Sequence, residues 1–279
     1  MALTGTLISC AAWRNGRPMS GFSSRAFSRS KGLAALADFS RNELALVTGG
    51  AVRLGREIAQ ALAREGYAVA LHYHSSADKA EETACEIEKL GVPAYLLQAD
   101  LREPGQIKSC FAKVAELPQP LTVLVNSASV MPRGDLRSLP VAEWDDTLDL
   151  NLRAPWLCAQ AAVELMQSRG GIIINLSDSG ARKTWTGFPA YTISKAGLEV
   201  LTRLLARSLA PDIRVNAVAP GLILPSEDTS PDEWQRLVRR LPVKHQGTPQ
   251  DVVQAVLFLI KNRYITGETL IVDGGYQLI

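Results

Sequence analysis

No stretch of the 279 residues approaches the roughly 20 consecutive apolar positions that a membrane-crossing helix requires. Charge of one sign is also missing: 30 Lys and Arg against 28 Asp and Glu leave a formal net charge of +2. That balance gives neither a nucleic acid nor an anionic bilayer an electrostatic footprint. Cysteine is scarce, with Cys10, Cys85, Cys110 and Cys158 scattered and no CxxC or other metal spacing. They read as buried thiols of a reducing compartment, which excludes a disulfide framework. Histidine numbers three, and His72 and His74 share a strand face with no further ligand nearby, so no metal site is expected. Acidic residues are absent before Asp38, while Arg14, Arg17, Arg25, Arg29 and Lys31 stand among serines. That is the composition of an organelle transit peptide, and equally of a disordered extension or an upstream start codon. Residues 1–41 are therefore set aside, and 42–279 are treated as one domain. The expected location is cytoplasmic, or mitochondrial or plastid if the leader is genuine.

What is present is an ordinary globular balance, 47% hydrophobic and 21% charged. Short apolar, β-branched runs recur at Leu44–Thr48, Ala68–Tyr73, Ala94–Gln98, Thr122–Asn126, Ile172–Leu176, Ile213–Ala217 and Thr269–Val272. Amphipathic stretches of helical length separate many of them: Arg56–Glu65, Lys79–Leu90, Trp156–Gln167, Gly197–Leu209 and Asp251–Ile260. Runs apolar throughout suit parallel strands covered on both faces. The alternation predicts an α/β fold, a doubly wound parallel sheet with helices on both faces. Ligands of such sheets lie beyond the carboxyl ends of the strands.

The first strand runs into Thr48-Gly49-Gly50-Ala51-Val52-Arg53-Leu54-Gly55 and a helix. Glycines there allow a pyrophosphate to approach the backbone, and the helix N-terminus offers free N–H groups and a positive dipole. Any tight strand-to-helix connection also uses glycine, but the place after the first strand favours the phosphate. Arg53 has the guanidinium to pair with an extra phosphate on the adenosine ribose. The second strand ends at His72-Tyr73-His74-Ser75-Ser76, without the acid that would accept from a ribose 2′-hydroxyl. Together these features favour NADP over NAD.

In Tyr191-Thr192-Ile193-Ser194-Lys195 the spacing of four puts the ammonium beside the phenol on one helix face. A nearby cation stabilises the phenolate and is expected to bring Tyr191 toward a range useful for proton transfer. Asn126-Ser127-Ala128-Ser129 follows the fourth strand, and Asn151 and Asp273-Gly274-Gly275 complete an ordered set. Singly, Asn151 suits a helix cap and Asp273-Gly274-Gly275 a plain turn. As a set, residues 43–279 resemble the short-chain dehydrogenase/reductase family, with its Rossmann-type sheet. The nearest likeness within it is to pteridine reductases and dihydromonapterin reductases. It rests on Arg53 in the glycine turn, His72-Tyr73-His74, the Asn-x-Ala-Ser loop, Asp178 and the ending Asp273-Gly274-Gly275-Tyr276.

That resemblance implies that Gly49, Arg53, Leu54, His74 and Ser75 hold the adenosine and phosphates, with Asp100 and Leu101 at the adenine. It places Asn126, Ala128 and Ser129 on the nicotinamide side, and Pro220, Gly221 and Leu222 over its carboxamide. Lys195 would bond the nicotinamide ribose, Tyr191 would donate the proton, and Asn151 would support a water relay. A homotetramer or homodimer paired through the long central helices is implied as well. Asp178 stands thirteen residues before Tyr191, where most of the family has serine. An aspartate at a strand end can simply cap a turn. An ionised Asp only accepts hydrogen bonds, so it would repel a developing alkoxide, yet it suits the nitrogen of a C=N bond in a pterin ring. Ser177, next to it, keeps a ketone-reductase reading open.

Two departures from the pteridine reductases stand out: Met131 where a ring-stacking aromatic is usual, and Ser75 where Arg is frequent. Methionine contacts a π face adaptably but selects less sharply for a flat ring. The segment from Leu222 to Pro231, followed by a helix over Trp234–Leu241 capped by Ser230, is placed to close over a small-molecule substrate. Arg133, Trp185 and Trp234 are candidate substrate contacts. The expectation is an NADPH-dependent reductase of a pterin-like substrate. The alternatives are a reductase of 3-oxoacyl thioesters or other ketones, and a cofactor-binding scaffold without turnover.

Overall fold

The computed structural model describes residues 42–166, 169–226 and 229–279. The transit-peptide expectation, which concerns residues 1–41, lies outside them. Seven strands alternate with helices: β1 (Leu44–Thr48), α1 (Arg53–Arg64), β2 (Ala68–Tyr73), α2 (Ala77–Glu88), β3 (Ala94–Gln98), α3 (Pro104–Ala115) and β4 (Leu121–Asn126). Then come α4 (Val141–Leu148), a π-helical turn (Asp149–Arg153), α5 (Ala154–Met166), β5 (Gly171–Leu176) and a 3-10 turn (Ser179–Arg182). The chain closes with α6 (Pro189–Leu209), β6 (Ile213–Pro220), α7 (Pro231–Arg240), α8 (Pro249–Lys261), β7 (Thr269–Val272) and a 3-10 turn, Tyr276–Leu278.

All pairings are parallel, in the order β3-β2-β1-β4-β5-β6-β7. A parallel sheet needs cover on both sides, and the two cores supply it. Ala45 and Val47 of β1 pack with Ile58 and Leu62 of α1, Ile87 of α2 and Val252 and Val256 of α8. Leu44 and Leu46, pointing the other way, pack with Phe111 of α3, Cys158 and Met166 of α5 and Ala206 of α6. Each large side chain buried this way contributes roughly 1.5–3 kcal/mol. The strand order reverses between β1 and β4, so a crevice opens at their carboxyl ends, the place where such sheets take ligands.

Of the cysteines, Cys110 and Cys158 are buried free thiols, as expected. Cys85, half-buried on α2, departs from the expectation because it is disulfide-bonded. No helix among the described residues is long and apolar enough to cross a membrane, and no group of three or more metal-ligating side chains occurs among them.

Candidate active site

At the β1 end of the crevice, backbone sits against backbone. Gly49 adopts φ +63°, and a Cβ there would meet the Ala128 Cα at 3.0 Å. At Gly55 a Cβ would lie 2.1 Å from the Gly49 carbonyl oxygen, so the helix can start this close to the turn only with glycine. Thr48 Oγ1 accepts the N–H groups of Ser127 (2.9 Å) and Ala128 (3.1 Å), fastening this turn to the loop after β4.

His72 holds the same turn from below. Its Nδ1 accepts the Gly49 N–H at 3.1 Å, while Nε2 lies 3.0 Å from the Ala99 carbonyl oxygen. A carbonyl only accepts, so the proton is on Nε2 and the ring is neutral. Burial pushes its pKa down to about 4, outweighing the opposing Ala99 hydrogen bond.

His74 and Ser75 are exposed beyond β2, with no acid among residues 72–76. Asp100 Oδ2 lies 3.7 Å from His74 Nε2, while its Oδ1 accepts from the Arg102 Nε at 2.9 Å. Burial pushes the Asp100 pKa up, but the Arg102 hydrogen bonds prevail and the net direction is down. Leu101 packs its side chain into the core, so contact with a ligand falls to its main chain. Arg53 is exposed at φ +51°, and its guanidinium donates to the carbonyls of Leu224 (3.3 Å) and Pro225 (2.9 Å). Leu54 packs beside it against the core.

The middle of the site is a buried hydrogen-bond lattice. Asn126 donates to Asn175 Oδ1 (2.9 Å), and Asn175 donates to Thr202 Oγ1 (2.9 Å) on α6. The Asn126 side chain is therefore turned into the protein. Asn151, fully buried in the π turn, accepts from Ser129 Oγ (3.1 Å) and the Val130 N–H (2.9 Å). It donates to the Val130 carbonyl (2.8 Å) and to Ser194 Oγ (3.1 Å). Two acceptor and two donor sites exhaust an amide, so the expected water relay does not pass through this side chain. It joins the β4 loop to α6 instead, and Ser194 continues the link to the Tyr191 carbonyl at 2.7 Å.

At the β5 end stand the candidate catalytic groups. Tyr191, Lys195 and Glu199 recur every four residues along the buried face of α6. The Tyr191 hydroxyl donates to Asp178 Oδ2 at 2.7 Å, and Asp178 Oδ1 accepts the Gly180 N–H at 2.6 Å, capping the 3-10 turn. Asp178 therefore caps its turn through one oxygen and meets Tyr191 through the other. Lys195 Nζ donates to the Leu176 carbonyl at 2.8 Å and lies 5.6 Å from the centre of the Tyr191 ring.

Burial pushes the Asp178 pKa up, against the Tyr191 and Gly180 hydrogen bonds and the Lys195 charge. Burial lowers Lys195 to about 8, against the pull of Asp178. Tyr191 moves well above its ordinary value, first through burial and then through Asp178. The expected fall in the Tyr191 pKa is therefore corrected: desolvation and a carboxylate at 2.7 Å outweigh the more distant ammonium. Ser177 does not stand in for Asp178, because its hydroxyl donates to the Lys195 carbonyl (3.3 Å) and Glu199 Oε1 (3.4 Å).

Pro220 ends β6 in the core, and a Cβ on Gly221 would lie 2.6 Å from that of Asp273. Leu222 joins Val238, Leu241 and Tyr276 in a third apolar cluster, against which Trp185 and Trp234 pack. Trp234 also donates to Gln246 Oε1 at 2.6 Å, so it serves mainly as packing of α7. Ser230 caps α7 by accepting the Glu233 N–H at 3.2 Å, with Pro231 in the first turn, as expected. Met131 is half-buried, and the Arg133 guanidinium sits 4.9 Å over the Phe188 ring and 3.7 Å from Glu233. The hydrogen-bond roles of Thr48, His72, Asn175, Ser194 and Thr202 were not legible in the sequence, since each acts through a partner distant in the chain.

Comparison with known proteins places the fold in a family. A family model described as enoyl-(acyl carrier protein) reductase matches residues 50–277. A 3-oxoacyl-(acyl-carrier-protein) reductase of Staphylococcus epidermidis is 38% identical over 243 residues, covering 85% of this chain and all of that protein. FolM alternative dihydrofolate reductase 1 of Brucella canis, crystallised with NADP, superposes with a TM-score of 0.82 at 35% identity, covering 86% of this chain and 95% of that one. A blue fluorescent protein from a metagenomic library, in complex with NADPH, gives 0.78 at 33% identity, covering 85% of this chain and 98% of its own. The fold and site define a Rossmann-like oxidoreductase. The chain belongs to the short-chain dehydrogenase/reductase family.

Proposed function

We propose that this oxidoreductase uses NADPH to reduce a C=N bond in a small pterin-like heterocycle, with Tyr191 and Asp178 handling the proton. The cofactor is NADP(H), matching the structural neighbours crystallised with it. The residues fit that group: glycine backbone at 49 and 55 where a side chain would collide, Arg53 and His74 at the ribose end, and no competing acid. When bound, it supplies the hydride.

The observation that carries the substrate reading is the part-buried Tyr191–Asp178 hydrogen bond of 2.7 Å. A carboxylate there sets an acceptor where reduction of a ketone would develop negative oxygen, an arrangement that repels. The same carboxyl, with a pKa raised by burial, can orient an amino group or return a proton to a ring nitrogen. Lys195 keeps a positive charge close to the pair, and Met131 and Trp185 are the proposed substrate surfaces, with Arg133 at the rim.

A second reading, reduction of a 3-oxoacyl thioester, draws on the 38% identity to the staphylococcal enzyme. The two separate in one assay, NADPH oxidation by the full chain with a dihydropterin or an acetoacetyl thioester. Turnover of the dihydropterin, lowered about 100-fold or more in Asp178→Ala, is expected from the usual worth of a positioned acid. Turnover of the thioester alone would refute the pterin reading and leave Asp178 as a turn cap.

We also infer a homo-oligomer. Ile193, Val200 and Leu204 form an exposed apolar stripe on the face of α6 away from the sheet, and Trp156 is exposed on α5.

A further inference from the structure

Outside the reactive centre, one cluster ties residues far apart in the chain to Asp178. Lys183 follows directly on the 3-10 turn that Asp178 caps. Its ammonium donates to the Tyr276 carbonyl at 3.0 Å and to the main-chain oxygen of Ile279, and lies 4.0 Å over the Tyr276 ring. Tyr276 in turn meets Trp185 with ring centres 5.9 Å apart, and Trp185 meets Phe188 at 6.0 Å. The Trp185 ring fills the space over Gly180 so closely that a Cβ there would lie 2.4 Å from it. Gly180 is the residue whose N–H holds Asp178 Oδ1. The turn Tyr276–Leu278 is itself braced by Asp273, which accepts the N–H groups of Gly275 and Gln277, both at 2.8 Å.

We infer that Lys183 is a positioning residue, a clamp that seats the Tyr276–Leu278 turn against Trp185 and thereby fixes the 3-10 turn that aims Asp178 at Tyr191. A carboxyl with one oxygen on a backbone N–H and the other on the phenol tolerates little rotation, so its aim depends on where Gly180 is held. Nothing else in the 3-10 turn ties it so directly to the C-terminal residues: among the described residues, Arg182 pairs instead with Glu199 of α6 at 3.1 Å. The inference rests on the proposed role of Asp178, and its test separates the two.

The test compares the full chain with Lys183→Met and Lys183→Arg, using NADPH oxidation with a dihydropterin. Because small misplacements of a reacting group cost rate more than cofactor affinity, Lys183→Met should lower kcat about tenfold and move the KM for NADPH less than about twofold. Lys183→Arg, which keeps the cation and its donors, should restore most of kcat. If the wild type turns over the acetoacetyl thioester alone, the pterin reading fails and the clamp is judged by the fluorescence readout alone.

A readout independent of turnover is acrylamide quenching of the Trp185 emission, taken as the difference from Trp185→Phe in each background. It should rise in Lys183→Met. Where Lys183→Met fails to fold, Lys183→Gln, which loses the cation but keeps a donor, should show a fall in kcat and a rise in quenching in the same direction. Unchanged kcat or unchanged quenching in a folded variant overturns the clamp.

Discussion

Two ionisable side chains at the carboxyl ends of the strands, His72 on β2 and Asp178 after β5, are used in opposite ways. His72, beneath the glycine turn, gives both ring nitrogens to main-chain partners, Gly49 and Ala99. Asp178, at the end of β5, gives one oxygen to the backbone and keeps the other for Tyr191. Burial drives each toward its neutral form, lowering the histidine and raising the acid. The difference lies in what is left over: a group satisfied by backbone on both sides holds structure, and one that shares a proton with another side chain can do chemistry. The β1 end is accordingly a turn fixed by backbone partners, and the β5 end is the proposed proton path.

The largest expected effect tests the reactive side. Tyr191→Phe removes the hydroxyl but keeps the ring, and steady-state NADPH oxidation should fall about 10²–10⁴-fold, the usual worth of a positioned proton donor. NADPH binding, followed by its fluorescence, should survive. A variant retaining more than a tenth of wild-type turnover would remove Tyr191 from the proton path.

Acid tests the structural side. His72 in the unfolded chain takes a proton near pH 6.5 but in the folded chain only at about 4. Between those values the unfolded state binds the extra proton, so stability falls as pH is lowered through that window and is complete above it. The loss is about 3 kcal/mol by the conversion of 1.36 kcal/mol per pKa unit. Denaturant melts at pH 7.5 and 4.5 should show it, and His72→Gln should flatten the difference. An equal acid loss in the variant would place the proton elsewhere.

Arg53→Ala should weaken NADPH binding about tenfold or more while leaving NADH nearly unchanged, since a charged hydrogen bond is worth about 1.5–3 kcal/mol. Equal losses with both cofactors would assign Arg53 to the Leu224 and Pro225 carbonyls it already holds. The smallest effect on chemistry is expected from Leu204→Glu, at a position 60% exposed on α6. It should shift the mass seen by light scattering toward the monomer and change kcat little. An unchanged mass would move the subunit contact off this face.

Most strands were legible as apolar runs, because a strand covered on both faces carries little polar alternation, though β6 interleaves Arg214 and Asn216 with Ile213, Val215 and Ala217. Helices α3 and α4 were not read. The only buried residue of α4 is Thr147, so its sequence carries no apolar stripe. In α3 the buried set Ile107, Cys110, Phe111 and Val114 has the i, i+3, i+4, i+7 spacing of an amphipathic helix, so that stripe was there in the sequence. Tyr191 and Lys195 were legible because four residues make one helical turn. The saturation of Asn151 and the bond between Ser177 and Glu199 were not, since both depend on how α6 packs beside β5 and the β4 loop.

The sequence by itself determined the parallel sheet, the glycine turn and its missing acid, and the Tyr–Lys pair on one helix face. Each follows from steric and periodic rules acting within a few residues. Only tertiary structure decided that Asp178 both caps its turn and receives the tyrosine hydroxyl, that this raises rather than lowers the phenol's pKa, and that Lys183 reaches Ile279 across 96 residues. Those outcomes depend on which groups lose water together, and desolvation is a property of the packed interior that no local run of residues contains.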